Sequence, residues 1–187
     1  MLPGSREMEV RNNLPVMLDV CRALNQTHPG LFFNINKAKT IDLSLLKGIM
    51  AGIPLKNLLV VSDRTYDLLA VSHAGLAVSG TVTLETMLFQ LPILVMYKVH
   101  PLTYFIFKSL ARVPFISLPN LIAGQRVVRE FIQDKSTPEN VLREAEQIIF
   151  NQAYRKKMVQ QLAGIKKKLG QKGVVRAIAR EIIKRYG

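Results

Sequence analysis

The chain has 187 residues, 49% of them hydrophobic, with 26 Lys/Arg against 13 Asp/Glu, a net charge of +13, and a single cysteine. That length fits one ordinary domain or one half of a larger enzyme, and the apolar fraction suffices for a core. The lone Cys21 excludes an intramolecular disulfide and a cysteine-based zinc site, no run of about 18 uncharged apolar residues predicts a membrane-spanning helix, and Met1–Arg11 lacks the apolar stretch of a secretory signal.

The chain opens on a turn. Leu2-Pro3-Gly4-Ser5-Arg6 reads as the exit of a strand that lies upstream, so a truncated chain is expected. Residues 7–24 predict a helix, because Val10, Leu14, Met17, Leu18, Cys21 and Leu24 recur at helical spacing. Pro15 is a local objection, since an interior proline removes a hydrogen bond. His28-Pro29-Gly30 ends the segment. Leu31–Asn36 predicts a strand, and Asp42–Ala51 a helix closed by Gly52. Leu58–Ser62 predicts a strand, Thr65–Ser72 a helix, Gly75–Ser79 a strand, Thr81–Gln90 a helix and Ile93–Tyr97 a strand. Short strands alternating with helices predict an α/β fold: a Rossmann-like parallel sheet with helices on both faces.

The pattern changes after His100-Pro101. Leu102–Ala111 predicts an apolar, aromatic-rich helix, 113–124 an irregular proline-bearing loop, and Arg126–Gln133 a short helix. Thr137 is a candidate cap with Pro138 at the first helical position, followed by the apolar face Val141, Leu142, Ala145, Ile148 and Ile149. Residues 152–169 and 174–185 predict two amphipathic helices split by Gly170 and Gly173. The expected organisation is a Rossmann-like domain over 1–135 with C-terminal helices over 136–187 packing on it. Charge follows this division loosely: residues 1–150 carry 15 Lys/Arg against 12 Asp/Glu, whereas residues 151–187 carry 11 against 1. A block this basic favours an anionic partner, or is simply a solvated helix face.

Two strand-to-helix corners carry the functional signal. In Ser79-Gly80-Thr81 small residues precede a helix, whose first N–H groups and positive dipole end favour a phosphate. Thr81 can add a hydroxyl and cap the helix. Glu85 lies four residues on, on the same face, where its carboxylate can accept from a ribose diol. Equally, Thr81 is an ordinary cap and Glu85 a solvated residue. The stretch Gly4-Ser5-Arg6 repeats the logic, with Arg6 able to pair bidentately with phosphate oxygens or simply to be a solvated turn residue. Ligands of open parallel sheets bind at the carboxyl ends of the strands, the edge both corners would share.

The stretches "LPGSR", "SGTVTLE", "YKVHPLTYFI", "SLPNLIAG" and "LGQKG", in that order, resemble the C-terminal half of the lipid-A-disaccharide synthases. "SGTxTLE" alone is shared loosely with other nucleotide-sugar transferases of two Rossmann domains; "SLPNLIAG" after it is more specific. The resemblance implies an inverting glycosyltransferase of GT-B type. Such an enzyme joins UDP-2,3-diacylglucosamine to 2,3-diacylglucosamine 1-phosphate and releases UDP. It implies that Gly4, Ser5, Arg6, Ser79, Gly80 and Thr81 serve the UDP diphosphate, that Glu85 binds the ribose, and that Asn120 lies in the donor cleft. It implies no cofactor and no metal, with positive groups and helix N-termini stabilising the leaving diphosphate. The acceptor side and the catalytic base would belong to an N-terminal half that this chain lacks, so the chain alone is expected to be inactive or nearly so. Asp63–Tyr66 follows a strand and would border uracil. His28, His73 and His100 read as turn, structural or surface residues rather than bases.

The implied partners are the UDP-sugar donor, a lipid-linked sugar phosphate acceptor, the N-terminal domain and an anionic membrane surface, in a cytoplasmic protein peripheral on the inner membrane. Leu102, Tyr104, Phe105, Ile106, Phe107 and Leu110 lie almost around their predicted helix, which is therefore buried in a core or interface, or faces a membrane. Lys98, Lys108 and Arg112 flank it, and Lys156, Lys157, Lys166, Lys167 and Lys168 would add long-range attraction to anionic headgroups. Three alternatives stay open: a UDP-sugar transferase half for another lipid-linked acceptor, a non-catalytic nucleotide-binding regulatory domain, and a nucleic-acid-binding module. The last is disfavoured, because no basic-aromatic recognition motif is present and the two corners would have no role.

Overall fold

The computed structural model describes residues 1–53, 55–99, 114–169 and 174–186. In chain order its first elements are α1 (Glu7–Thr27), β1 (Phe33–Lys37), α2 (Leu43–Met50), β2 (Leu58–Ser62), α3 (Thr65–Val71), β3 (Gly75–Val78), α4 (Thr81–Leu88) and β4 (Ile93–Tyr97). Then follow α5 (Leu118–Ala123), β5 (Glu130–Ile132), a 3-10 turn (Gln133–Lys135), α6 (Pro138–Phe150), α7 (Gln152–Lys168) and α8 (Val174–Tyr186).

Among the described residues the strand pairs are parallel: β1 with β2, β3 with β4 and β4 with β5. Met1 and Leu2 join the two sets of strands. Leu2 N–H donates to Leu76 O at 2.8 Å and Val78 N–H to Leu2 O at 2.9 Å. On the other side the Met1 ammonium donates to Asn34 O at 2.6 Å, and Asn36 N–H donates to Met1 O at 2.9 Å. The order is therefore β2, β1, Met1–Leu2, β3, β4, β5, the order of a doubly wound Rossmann sheet with Met1–Leu2 in its central, first-strand place. The helices flank the sheet, and Ile93, Leu94, Val95 and Met96 of β4 are all buried although successive side chains point to opposite faces. A strand covered on both sides reads as a continuous apolar run, as this one does.

α1 is the main structural helix. Its buried residues Val10, Leu14, Met17, Leu18, Cys21 and Leu24 follow the expected stripe, and Pro15 sits inside it without ending it. Burial pushes the Cys21 thiol up to about 12, so it is a packing residue and not a nucleophile. α6 and α7 pack Val141, Ala145, Ile148, Met158, Leu162 and Ile165 into the same core as β3 and β4. Asp42 caps α2, accepting from Ser44 N–H at 3.0 Å, and that bond holds its carboxyl below the ordinary value.

Two expectations are corrected. Residues 126–133 do not form a helix: Glu130–Ile132 add β5 to the edge of β4, Glu130 aligned with Val95 and Ile132 with Tyr97. Pairing with a buried strand overrides local helix preference. Within 114–124, expected to be irregular, Leu118–Ala123 form a short helix with Pro119 in its first turn and Gly124 closing it at φ 67°. The expected helix over Leu102–Ala111, with Lys108, Arg112 and His100, lies outside the described residues, as do Gly170 and Gly173.

Candidate functional site

The topology delivers both corners to one edge. In a parallel sheet every strand ends on the same side, so the segment after Leu2 and the segment after Val78, whose strands are neighbours, leave together. Gly4, Ser5, Arg6, Ser79, Gly80, Thr81 and Glu85 line one cavity of about 460 Å³, together with Glu9, Asn36, Ala38, Thr65 and Val82. Its size is that of a small-ligand pocket. Thr65 Oγ1 donates to Asn36 Oδ1 at 3.0 Å across its wall.

The α4 corner is open. Gly80, not Thr81, is the cap residue, no side chain caps the helix start, and Thr81 is the first helical residue and exposed. Thr81 and Val82, whose N–H groups no side chain caps, line the cavity. A methyl group built on Gly80 would meet nothing within 4 Å. Ser79 is committed elsewhere: its hydroxyl donates to Ile116 O at 2.8 Å, and its backbone presents the turn. Glu85, one helical turn down, accepts from Tyr66 Oη at 3.4 Å. Tyr66 is 60% exposed and stacks on Phe89 with centroids 5.8 Å apart. Beside them a second hollow of about 510 Å³ shares Ala38, Thr65 and Glu85 with the first and adds Lys37, Lys39, Asp63, Arg64, Tyr66 and Asp67.

The α1 corner is filled by its own helix. Gly4 has φ +113°, a conformation that favours glycine, and a Cβ there would lie 2.6 Å from Glu9 Oε2. Ser5 N–H donates to Glu9 Oε2 at 3.1 Å and Arg6 Nη1 to Glu9 Oε1 at 3.0 Å. Thr40 Oγ1 fixes the Ser5 carbonyl at 2.6 Å. Glu9 is three residues into α1, the place from which a carboxylate reaches back over a helix start; the sequence reading passed over it.

Asn120 departs from its expected place. It is fully buried and does not line the cavity. Its Oδ1 accepts from Val127 and Val128 N–H at 2.7 and 2.9 Å, and its Nδ2 donates to Val128 O and to Glu130 Oε1, both at 2.8 Å. An amide with every donor and acceptor engaged inside the fold has none left for a ligand. Glu130 accepts further from Ile116 N–H, Ser117 N–H and Ser117 Oγ. This hub fixes residue 116, to which Ser79 is anchored, so Asn120 acts on the cavity at one remove. Two more buried or half-buried amides were not singled out from sequence. Asn13 pairs with the backbone of Lys98 at 3.0 and 3.3 Å, and Gln133 with that of Val99 at 2.9 and 3.0 Å, holding the chain as it leaves β4. A polar residue on the apolar stripe of α1 was the one visible sign of the first.

The two described histidines lie elsewhere. His28 stacks on Phe150 at 4.0 Å, and His73 Nε2 is 3.3 Å from Ile149 O. Among the described residues no group of three or more His, Cys, Asp or Glu side chains is placed to hold a metal, and no helix is long and apolar enough to cross a membrane.

The sheet order and the cavity at its carboxyl edge define a doubly wound α/β domain with a pocket where such sheets bind ligands. A solved structure from Listeria monocytogenes, assigned as a UDP-N-acetylglucosamine 2-epimerase, superimposes with a TM-score of 0.55 over 79% of this chain and 35% of that one; at 16% identity the likeness is one of fold alone. The sequence is more specific. The profile of the lipid-A-disaccharide synthetase family matches residues 1–182. Lipid-A-disaccharide synthases from Geobacter sulfurreducens and Nitrosococcus oceani are 35% and 39% identical over 100% and 96% of this chain. The chain belongs to the lipid-A-disaccharide synthetase family, whose curated members are glycosyltransferases. It spans about half the length of the curated relatives it matches, 48% and 46% for these two.

Proposed function

We propose that this chain is the donor-binding half of a lipid-A-disaccharide synthase and that its cavity takes the UDP of UDP-2,3-diacylglucosamine. The observation that carries the reading is the convergence of seven residues from two distant corners, Gly4–Arg6 and Ser79–Thr81 with Glu85, on one cavity at the ligand-binding edge of the sheet. The diphosphate lies between the uncapped start of α4 and the Arg6 guanidinium, a helix dipole and a fixed cation directed at the same charge. The ribose diol donates to Glu85, and the base extends toward Asp63–Tyr66.

In the full reaction a hydroxyl oxygen of 2,3-diacylglucosamine 1-phosphate bonds to the anomeric carbon of the donor. The bond from that carbon to the diphosphate oxygen breaks, UDP leaves with the electron pair, and the hydroxyl proton passes to a base on the other half of the enzyme. The part of the chain described here is stabilisation of the leaving diphosphate. The acylated substrates place the enzyme at a membrane surface, and the exposed Lys156, Lys157, Lys167 and Lys168 would favour anionic lipid. Lys166 is engaged on Leu88 O at 2.8 Å.

Calorimetric titration of the chain with UDP and with ADP tests the reading. Saturable binding that prefers UDP is expected, weakened about tenfold in Glu85→Ala, the loss of one to two hydrogen bonds to a charged acceptor. No saturable binding at millimolar UDP by a folded chain would overturn it.

A further inference from the structure

We infer that Glu9 is a positioning residue for diphosphate recognition: its carboxylate fixes Ser5 and Arg6 so that the α1 corner meets the ligand preformed. The inference rests on the donor-site reading and adds to it a residue that touches neither corner motif in sequence.

A carboxylate inside a diphosphate site calls for a reason, because it repels the ligand. The geometry supplies one. Gly4 is held at φ +113° with Glu9 directly against it: a Cβ on Gly4 would meet Glu9 Cβ at 2.8 Å and Oε2 at 2.6 Å. The two residues therefore shape one another, and only glycine leaves room for the carboxylate. The Glu9 side chain is 14% exposed, whereas that of Arg6 is 81% exposed. The long, solvated side chain is tethered by the short, half-buried one. The pair engages Nη1 of a guanidinium that has five N–H donors, so most of its donor capacity is left for phosphate oxygens. Without the tether Arg6 samples many rotamers, and ordering them on binding weakens affinity. Glu9 Oε2 also holds Ser5 N–H at 3.1 Å while Thr40 Oγ1 holds Ser5 O at 2.6 Å, which pins the loop on both sides of the Ser5 residue.

The alternative role for Glu9 is only to cap α1. The two roles part in their ligand dependence. Affinities for UDP and for uridine, which lacks the diphosphate, are measured by calorimetry on the wild-type chain, Glu9→Gln, Glu9→Asp and Arg6→Ala, with melting temperatures alongside. The expected result is that Glu9→Gln and Glu9→Asp each lose about tenfold in affinity for UDP, approaching Arg6→Ala, while uridine affinity is unchanged. The conservative variants test charge and reach separately, since glutamine cannot accept from both donors and aspartate is one methylene short. If the Glu9 variants melt earlier but keep the UDP-to-uridine affinity ratio, Glu9 is a cap and the inference fails. If Glu9→Gln binds UDP more tightly than wild type, Glu9 competes with the ligand and the inference fails. In both cases an effect of Arg6→Ala leaves the donor-site reading standing. If wild type itself shows no preference for UDP over uridine, that reading falls and this one with it.

Discussion

The two corners of the cavity have the same architecture and opposite finishes. Each is a parallel strand running through small residues into a helix. At the first, Gly4 is held at φ +113°, Glu9 reaches back to the Ser5 N–H and the Arg6 side chain just before the helix, and the charged Arg6 stands outside. At the second, the turn is extended, Gly80 supplies no cap, and the space above it is empty. The first corner ties down a cation, and the second leaves open space beside the start of its helix. One glycine is required by its conformation and its close neighbour, whereas the other has open space around it, although both read alike in sequence.

The contrast breaks most sharply under one substitution made at both places. Gly4→Ala puts a methyl group into Glu9 at a φ that L-residues rarely adopt. It is expected to destabilise the chain by about 2–3 kcal/mol, read from urea unfolding, and to lower UDP affinity as Glu9 and Arg6 shift. A neutral result would mean that the loop relaxes freely and that the first corner is not preformed. Glu130→Gln should have a smaller effect that belongs to the second corner alone. With part of the acceptor for Ile116, Ser117 and Asn120 removed, stability should fall by about 1–2 kcal/mol and UDP affinity by a few fold through Ser79. An unchanged UDP affinity would show that the anchoring of Ser79 to residue 116 does not matter for the turn. Gly80→Ala should be mildest in stability, about 0.5 kcal/mol for a poorer cap residue, with a few-fold loss of UDP affinity from the methyl group in the cavity. A stability loss as large as that of Gly4→Ala would erase the distinction between the corners.

The sequence by itself determined the alternation of elements, because each strand and helix carries its own period and its own punctuation: Asp42 before α2, Pro138 opening α6 after the Thr137 cap. It also determined the edge of the candidate site, since in a parallel sheet the residues after each strand must share one side. That is why Gly4–Arg6 and Ser79–Thr81, more than seventy positions apart, are paired by the strand pattern alone. Tertiary structure decided whatever depends on a distant partner. Residues 130–132 have helix-compatible spacing and became a strand because the edge of β4 was vacant beside them. Asn120 sits in a motif suggestive of a cleft and turned inward, because Glu130 and the backbone of Val127 and Val128 satisfy its whole amide. Asn13 and Gln133 look like ordinary polar residues in sequence. Their roles come from loops that fold back on them, and a hydrogen bond to a backbone carbonyl or N–H leaves no side-chain signature in its partner.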